Sequence, residues 1–210
     1  EKDIPMTLLD VSEVRRRADL WYQQLPSVAP FYAVKCNSHP DILETLWGVW
    51  QERGFGGFDA ASPFEMQTVL DLGADPVSQI IYANPCKQAS AVAFARRNGV
   101  LRMTFDNRAE LVKIQEIFPD AELVLRMQTD DALAKCPLSN KFGCAPDDCA
   151  ELLALAKNLG LKVVGVSFHV GSGCSQAGAY RGALKRARDA FDEAERQGFA
   201  PRLLDIGGGF

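Results

Sequence analysis

The stretch Arg102-Met103-Thr104-Phe105-Asp106-Asn107-Arg108-Ala109-Glu110, answered further along by Glu122-Leu123-Val124-Leu125-Arg126-Met127, sets the reading of the whole chain. Arg102–Asp106 and Glu122–Met127 are short apolar runs with a charged residue at or near the end, the length of a strand and too short for a helix. Asn107-Arg108-Ala109-Glu110 has the spacing of a helix start, with a capping side chain and an acidic residue one turn on. Strand, capped helix, strand is the repeating step of an α/β fold. Near-continuous apolar strands further suit a parallel sheet covered on both faces.

The same step recurs in both directions along the chain. Predicted strands are Phe31–Lys35, Gly57–Ala60, Gln79–Ala83, Arg102–Asp106, Glu122–Met127, Lys162–Val170 and Leu203–Ile206. Ser62-Pro63-Phe64-Glu65 forms a capping box with proline in the first helical position, and Gly73 suits the left-handed residue that closes that helix. Gly99, Gly160 and Gly198 likewise follow helical stretches and precede apolar runs. With no hairpin signal between steps, the sheet is parallel, either open and doubly wound or closed into a barrel, and periodicity does not choose. The polar residues tilt the choice: Lys35, Asp59, Asn84, Asp106, Arg126 and His169 each fall at or just past the C-terminal end of a predicted strand. In a barrel those ends share one mouth, where the chemistry sits. The expected fold is α/β, a (β/α)8 TIM-like barrel. It is expected to be truncated after its seventh strand, a single incomplete domain over residues 1–210 with no internal boundary. The longest irregular stretch, Gln128–Asn140, reads either as a functional or mobile loop or as a plain surface excursion.

Composition removes several classes. Among 210 residues, 47% are hydrophobic and 24% charged, which excludes disorder and fibrous repeats. With 23 Lys+Arg against 27 Asp+Glu and a net charge of -4, nothing draws the chain to nucleic acid. No apolar run is long enough to span a bilayer and Glu1–Arg17 lacks the order of a signal peptide, so a cytoplasmic protein without membrane contact is expected. Glu1 in place of an initiating methionine suggests that something precedes this stretch. Cys36, Cys86, Cys136, Cys144, Cys149 and Cys174 are dispersed without a C-x-x-C pair, His39 and His169 are the two histidines, and no H-E-x-x-H, Walker or G-x-S-x-G motif occurs. No metal site and no hydrolase triad is indicated.

Lys35, at the end of an apolar strand, is either a solvated loop residue or a partly desolvated amine of lowered pKa, able to attack a carbonyl. Gly207, Gly208 and Gly209 follow the last strand; a tight turn accounts for one glycine, whereas three allow backbone N–H groups to approach a dianion closely. His169 is either a satisfied structural histidine or a cover for a planar ring, and the Gly171-Ser172-Gly173 loop after it offers a hydroxyl and amides to a phosphate. Asp59 and Arg126 face the same mouth unless they form separate structural contacts. A lysine, a histidine and two phosphate-type loops on one rim fit a phosphorylated aromatic aldehyde, which points to pyridoxal phosphate.

Longer blocks carry a family likeness. Pro30–Asn37, Gly57–Ser62, Tyr82–Lys87, Val166–Cys174 and Asp205–Phe210 closely resemble, in order, the eukaryotic-type ornithine decarboxylases of the group IV pyridoxal-phosphate-dependent decarboxylase family. The resemblance implies a pyridoxal-phosphate barrel, followed in complete members by a β-rich domain, working as a homodimer that converts L-ornithine to putrescine in polyamine biosynthesis. It implies that Lys35 binds the cofactor covalently and that His169 stacks on its ring. Ser172 and the Gly207–Gly209 loop, Gly209 above all, would hold the phosphate, with Asp59 and Arg126 close to the cofactor. Lys141-Phe142-Gly143 resembles a segment supporting the subunit interface, and Asn84–Asn107 the part that antizyme recognises in animal enzymes. Leu46–Gly57, with Trp47 and Trp50, looks longer than the family's connection and is expected to lengthen the first outer helix or its following loop. The family's acidic partner for the pyridine nitrogen and its substrate contacts are not found in these residues, so the stretch alone is expected to be inactive. Three rivals remain. One is an antizyme-inhibitor-like regulatory protein, whose kind departs at the cofactor positions that this chain keeps. Another is a lysine, arginine or diaminopimelate decarboxylase on the same barrel, and the third is an inert structural fragment, because an unclosed barrel exposes strand edges.

Overall fold

The computed structural model describes residues 3, 5–132 and 134–209. Phe210, the last residue of the glycine-rich block, lies outside the described residues. The chain divides into two compact units, Glu1–Ile80 and Ile81–Phe210. No linker marks the division, which falls inside a strand.

The first unit holds α1 (Val11–Gln24), β1 (Phe31–Ala33), α2 (Pro40–Arg53), β2 (Gly57–Ala60), α3 (Pro63–Asp71) and the first residue of β3 (Ile80–Tyr82). Phe31, Tyr32 and Ala33 pair in parallel with Gly57, Phe58 and Asp59. The α3 cap forms as its spacing predicts: Ser62 Oγ accepts from the Glu65 N–H at 3.2 Å, and the Glu65 carboxylate accepts from the Ala61 N–H at 2.6 Å. Within the Leu46–Gly57 segment, residues 46–53 belong to α2, and Leu46, Val49 and Trp50 enter the core. Trp50 is buried and meets Phe58 edge-on, ring centroids 4.5 Å apart.

The second unit continues with α4 (Ala89–Arg97), β4 (Arg102–Phe105), α5 (Arg108–Ile117), β5 (Glu122–Arg126), β6 (Ala134–Cys136), α6 (Cys149–Asn158), β7 (Lys162–Ser167), β8 (Ser172–Cys174), α7 (Ala177–Arg196) and β9 (Leu203–Asp205). Asn107 Oδ1 caps α5 by accepting from the Glu110 N–H at 2.9 Å. The glycines expected to end helices, Gly73, Gly99, Gly160 and Gly198, all have positive φ. Strands β3, β4, β5, β7 and β9 pair in parallel, each with the next.

Strand order through the seven-stranded sheet is β1-β2-β3-β4-β5-β7-β9. A doubly wound sheet reverses its order at a switch point, whereas this order runs one way throughout, which is the winding of a (β/α) barrel. The α/β, barrel-type reading therefore holds.

Two features depart from the sequence reading. The stretch 128–140 is not wholly irregular: β6 pairs antiparallel with β8, Ala134 opposite Cys174 and Cys136 opposite Ser172. Such short, polar, glycine-containing strands have no hydrophobic alternation to reveal them. The strand expected over Lys162–Val170 ends at Ser167, so His169 stands on the loop beyond it. Among the described residues, no helix is long and apolar enough to cross a membrane.

Candidate functional site

In the first unit, β1 passes directly into a single turn of 3-10 helix, Val34–Cys36. Val34 is fully buried and anchors the turn, and the next side chain, Lys35, projects outward. Its Nζ donates to Asp59 Oδ2 at 3.2 Å. Asp59 is brought there by register, as the pairing partner of Ala33. The Lys35 side chain is 57% exposed, the solvated of the two environments that its sequence position allows, and its amine is reachable. Asp59 Oδ1, by contrast, is buried and has no hydrogen-bond partner. The carboxylate thus holds the lysine with one oxygen and keeps a second acceptor for another donor.

In the second unit, the glycine corner after β9 is tied down by its neighbours. Asp205 Oδ1 accepts from the Gly207 N–H at 2.8 Å, Tyr180 Oη donates to the Gly208 carbonyl at 3.1 Å, and the Cys174 N–H donates to the Gly209 carbonyl at 3.0 Å. No acceptor among the described residues takes the N–H of Gly208 or Gly209. Gly207 and Gly209 have φ of 64° and 114°. A Cβ at Gly207 would overlap the Phe168 carbonyl oxygen, and one at Gly209 would lie 2.6 Å from the Gly171 carbonyl. The corner therefore needs glycine for backbone conformation and for close approach to the His169 loop. Carbonyls turned to protein donors and amides without acceptors make a cradle for an anion.

His169 stands over this corner. Its Nδ1 accepts from the Gly171 N–H at 2.9 Å, which in the neutral ring places the proton on Nε2. That nitrogen lies 3.2 Å from where a Cβ on Gly208 would sit, so the middle glycine keeps the ring edge clear. The His169 carbonyl accepts from Thr129 Oγ1 at 2.7 Å, tying the loop to the segment after β5. Ser172 is exposed on β8, opposite Cys136.

Arg126 ends β5, its guanidinium 4.8 Å from the centre of the Phe142 ring. Phe142 is placed by the backbone contacts of the two residues after it: the Gly143 N–H donates to Asp106 Oδ2 at 2.8 Å and the Cys144 N–H to the Arg126 carbonyl at 2.8 Å. The motif Lys141-Phe142-Gly143 thus packs against Arg126. Tyr180, Thr129 and Phe142 were not assigned these roles in the sequence reading, because each acts across a gap in sequence that no local pattern spans. Asn84 accepts from the Cys86 N–H at 3.1 Å and shapes its own loop. Burial pushes the Cys144 thiol up to about 12 and the Cys149 thiol up to about 11, which marks both as packing groups.

Each unit carries groups that fit pyridoxal phosphate. A reachable amine held by a carboxylate suits its aldehyde, and unaccepted amides at a glycine corner suit its anionic tail. Known proteins agree. The chain is 48% identical over 201 residues to a protein from Dictyostelium discoideum named "Probable ornithine decarboxylase", covering 96% of this chain and 42% of that one. It is equally similar, 48% over 201 residues, to "Antizyme inhibitor 2" of Xenopus laevis, with 96% and 43% covered. Among solved structures, the arginine decarboxylase of Paramecium bursaria Chlorella virus superposes with a TM-score of 0.90 at 40% identity, over 95% of this chain and 52% of that one. The chain spans about half the length of these relatives or less. Residues 11–210 match the family described as "Pyridoxal-dependent decarboxylase, pyridoxal binding domain", and with that match the chain belongs to this family.

Proposed function

We propose that this chain is the cofactor-binding part of a pyridoxal-phosphate-dependent decarboxylase that converts L-ornithine to putrescine. The observation that supports it most directly is Lys35 Nζ, exposed and held 3.2 Å from Asp59, whose second oxygen is buried without a partner. Lys35 would hold the cofactor through its amine. Asp59 would orient that amine, and Oδ1 would take a further donor once the site is filled. The amides of Gly208 and Gly209, with Gly207 setting the turn and the Ser172 hydroxyl as a further donor, would carry the phosphate. His169, fixed by the Gly171 N–H, would present its ring face, and Arg126 would set the local positive charge. Bound pyridoxal phosphate supplies an electron sink for the charge left at an amino acid's α-carbon when carbon dioxide departs. The protein's part is to bind, orient and exclude water.

Ornithine is the substrate named in the decarboxylase relatives at 47–49% identity, against 40% for the arginine enzyme, which favours ornithine over the longer basic amino acids. We place the protein in the cytoplasm as a homodimer, with antizyme as a regulatory partner, and expect residues 1–210 alone to be inactive. A second reading, a regulatory protein, rests on the antizyme inhibitor likeness. Titration of the full-length protein with pyridoxal phosphate is expected to produce the long-wavelength absorption of lysine-bound cofactor, and Lys35→Ala to abolish it. Persistence of that band in the variant would reassign the lysine. A band with no putrescine formed from ornithine would overturn the substrate, and the absence of both would favour the regulatory reading.

A further inference from the structure

Ser167 is the last residue of β7 and is only 3% exposed, between the buried Val166 and Phe168. Its hydroxyl has no hydrogen-bond partner, a condition it shares among described buried side chains with Asp59 Oδ1 and Trp50 Nε1 in the first unit. Its register partners are Arg126 on β5 and Asp205 on β9. Side chains at paired positions of a parallel sheet share a face, so Arg126, Ser167 and Asp205 form one polar row across three adjacent strands. The flanking members are engaged: Arg126 with the Phe142 ring, Asp205 with the Gly207 N–H. Two residues past Ser167 stands His169, which faces the glycine corner.

A buried hydroxyl without a partner costs about 1–3 kcal/mol, a cost that alanine would avoid at the same place. Such groups in native structures call for an explanation, and use by a ligand is one of them. We infer that Ser167 is a further cofactor-binding residue: its hydroxyl hydrogen-bonds a polar atom of the bound pyridoxal group, between Arg126 and Asp205. The inference rests on the proposed function and adds a contact that the family motifs did not assign.

Ser167→Ala in the full-length protein separates this role from a structural one. Because the hydroxyl has no protein partner, the cofactor-free variant is expected to melt at or above the wild-type temperature. Its pyridoxal phosphate affinity should fall roughly three- to tenfold, as for loss of one hydrogen bond, with a shifted absorption maximum for the bound cofactor. Ser167→Cys keeps a side chain of similar size with a weaker donor and should give an intermediate affinity, which also covers the case of an alanine variant that fails to fold. If both variants bind the cofactor as tightly as wild type, or if the cofactor-free alanine variant melts well below it with affinity unchanged, the inference is overturned. Wild-type protein that binds no pyridoxal phosphate would instead bring down the proposed function and this inference with it.

Discussion

Two lysines follow strands of the parallel sheet, one in each unit, and both pair with a carboxylate. Lys35 lies 3.2 Å from Asp59 with side chains 57% and 24% exposed; Lys87 lies 2.9 Å from Glu110 with side chains 0% and 2% exposed. Lys87 also donates to the Asn84 carbonyl at 3.0 Å and the Thr104 carbonyl at 2.6 Å, which uses all three of its protons. The second oxygen of Glu110 takes Lys113 at 2.6 Å. Burial holds the Lys87 ammonium below the ordinary lysine range, although Glu110 pulls it back up. A saturated, dry lysine fastens the loop after β3 to α5. A reachable lysine with one partner keeps protons and an exposed amine that the buried one has spent. Residue type and place in the fold are alike, and hydrogen-bond satisfaction separates structure from chemistry.

The contrast can be broken most forcefully at Glu110. Glu110→Gln leaves two lysines facing a neutral amide in the interior, and urea unfolding should register a loss of about 3–5 kcal/mol. A loss under about 1 kcal/mol would place this pair in the same class as the exposed one. Asp131 is the intermediate case, a buried carboxylate that accepts from the backbone N–H groups of Ser139 at 2.8 Å and of Leu138. Burial drives its pKa up, but the amides outweigh burial and hold it below the ordinary 3.8. Its contribution, about 1.5–3 kcal/mol, is therefore complete above that value and disappears as pH falls through the lowered one. Amide exchange at Leu138 and Ser139 should accelerate on acidification below 3.8 in the wild type and lose that dependence in Asp131→Asn. Unchanged protection in acid would detach the loop from this carboxylate. The smallest effect belongs to Lys35→Ala. Thermal unfolding of the cofactor-free protein should show a loss of at most about 1 kcal/mol, although cofactor capture is lost altogether. A penalty comparable to that of Glu110→Gln would erase the distinction.

Much of this was legible beforehand because it is local. Strand positions follow from apolar runs, the caps at Ser62 and Asn107 from spacing, and the glycine corner from three consecutive residues with few other uses. The register that sets Asp59 against Lys35 was not legible, and neither was the β6–β8 ribbon, whose pairing joins segments with no hydrophobic period. Trp50 read as part of an outer insertion and turned out to be core, since its burial depends on Phe58 from the following strand.

From composition and order alone came the parallel α/β barrel winding, the cofactor class, and Lys35, His169 and Gly207–Gly209 as the residues to examine. Periodicity, capping and glycine runs act over a few residues, so the chain displays them directly. Which lysine is dry and which is wet, which hydroxyl lacks a partner, and which carbonyls of the corner are occupied were decided in three dimensions. Burial and hydrogen-bond satisfaction depend on neighbours that folding brings from far along the chain.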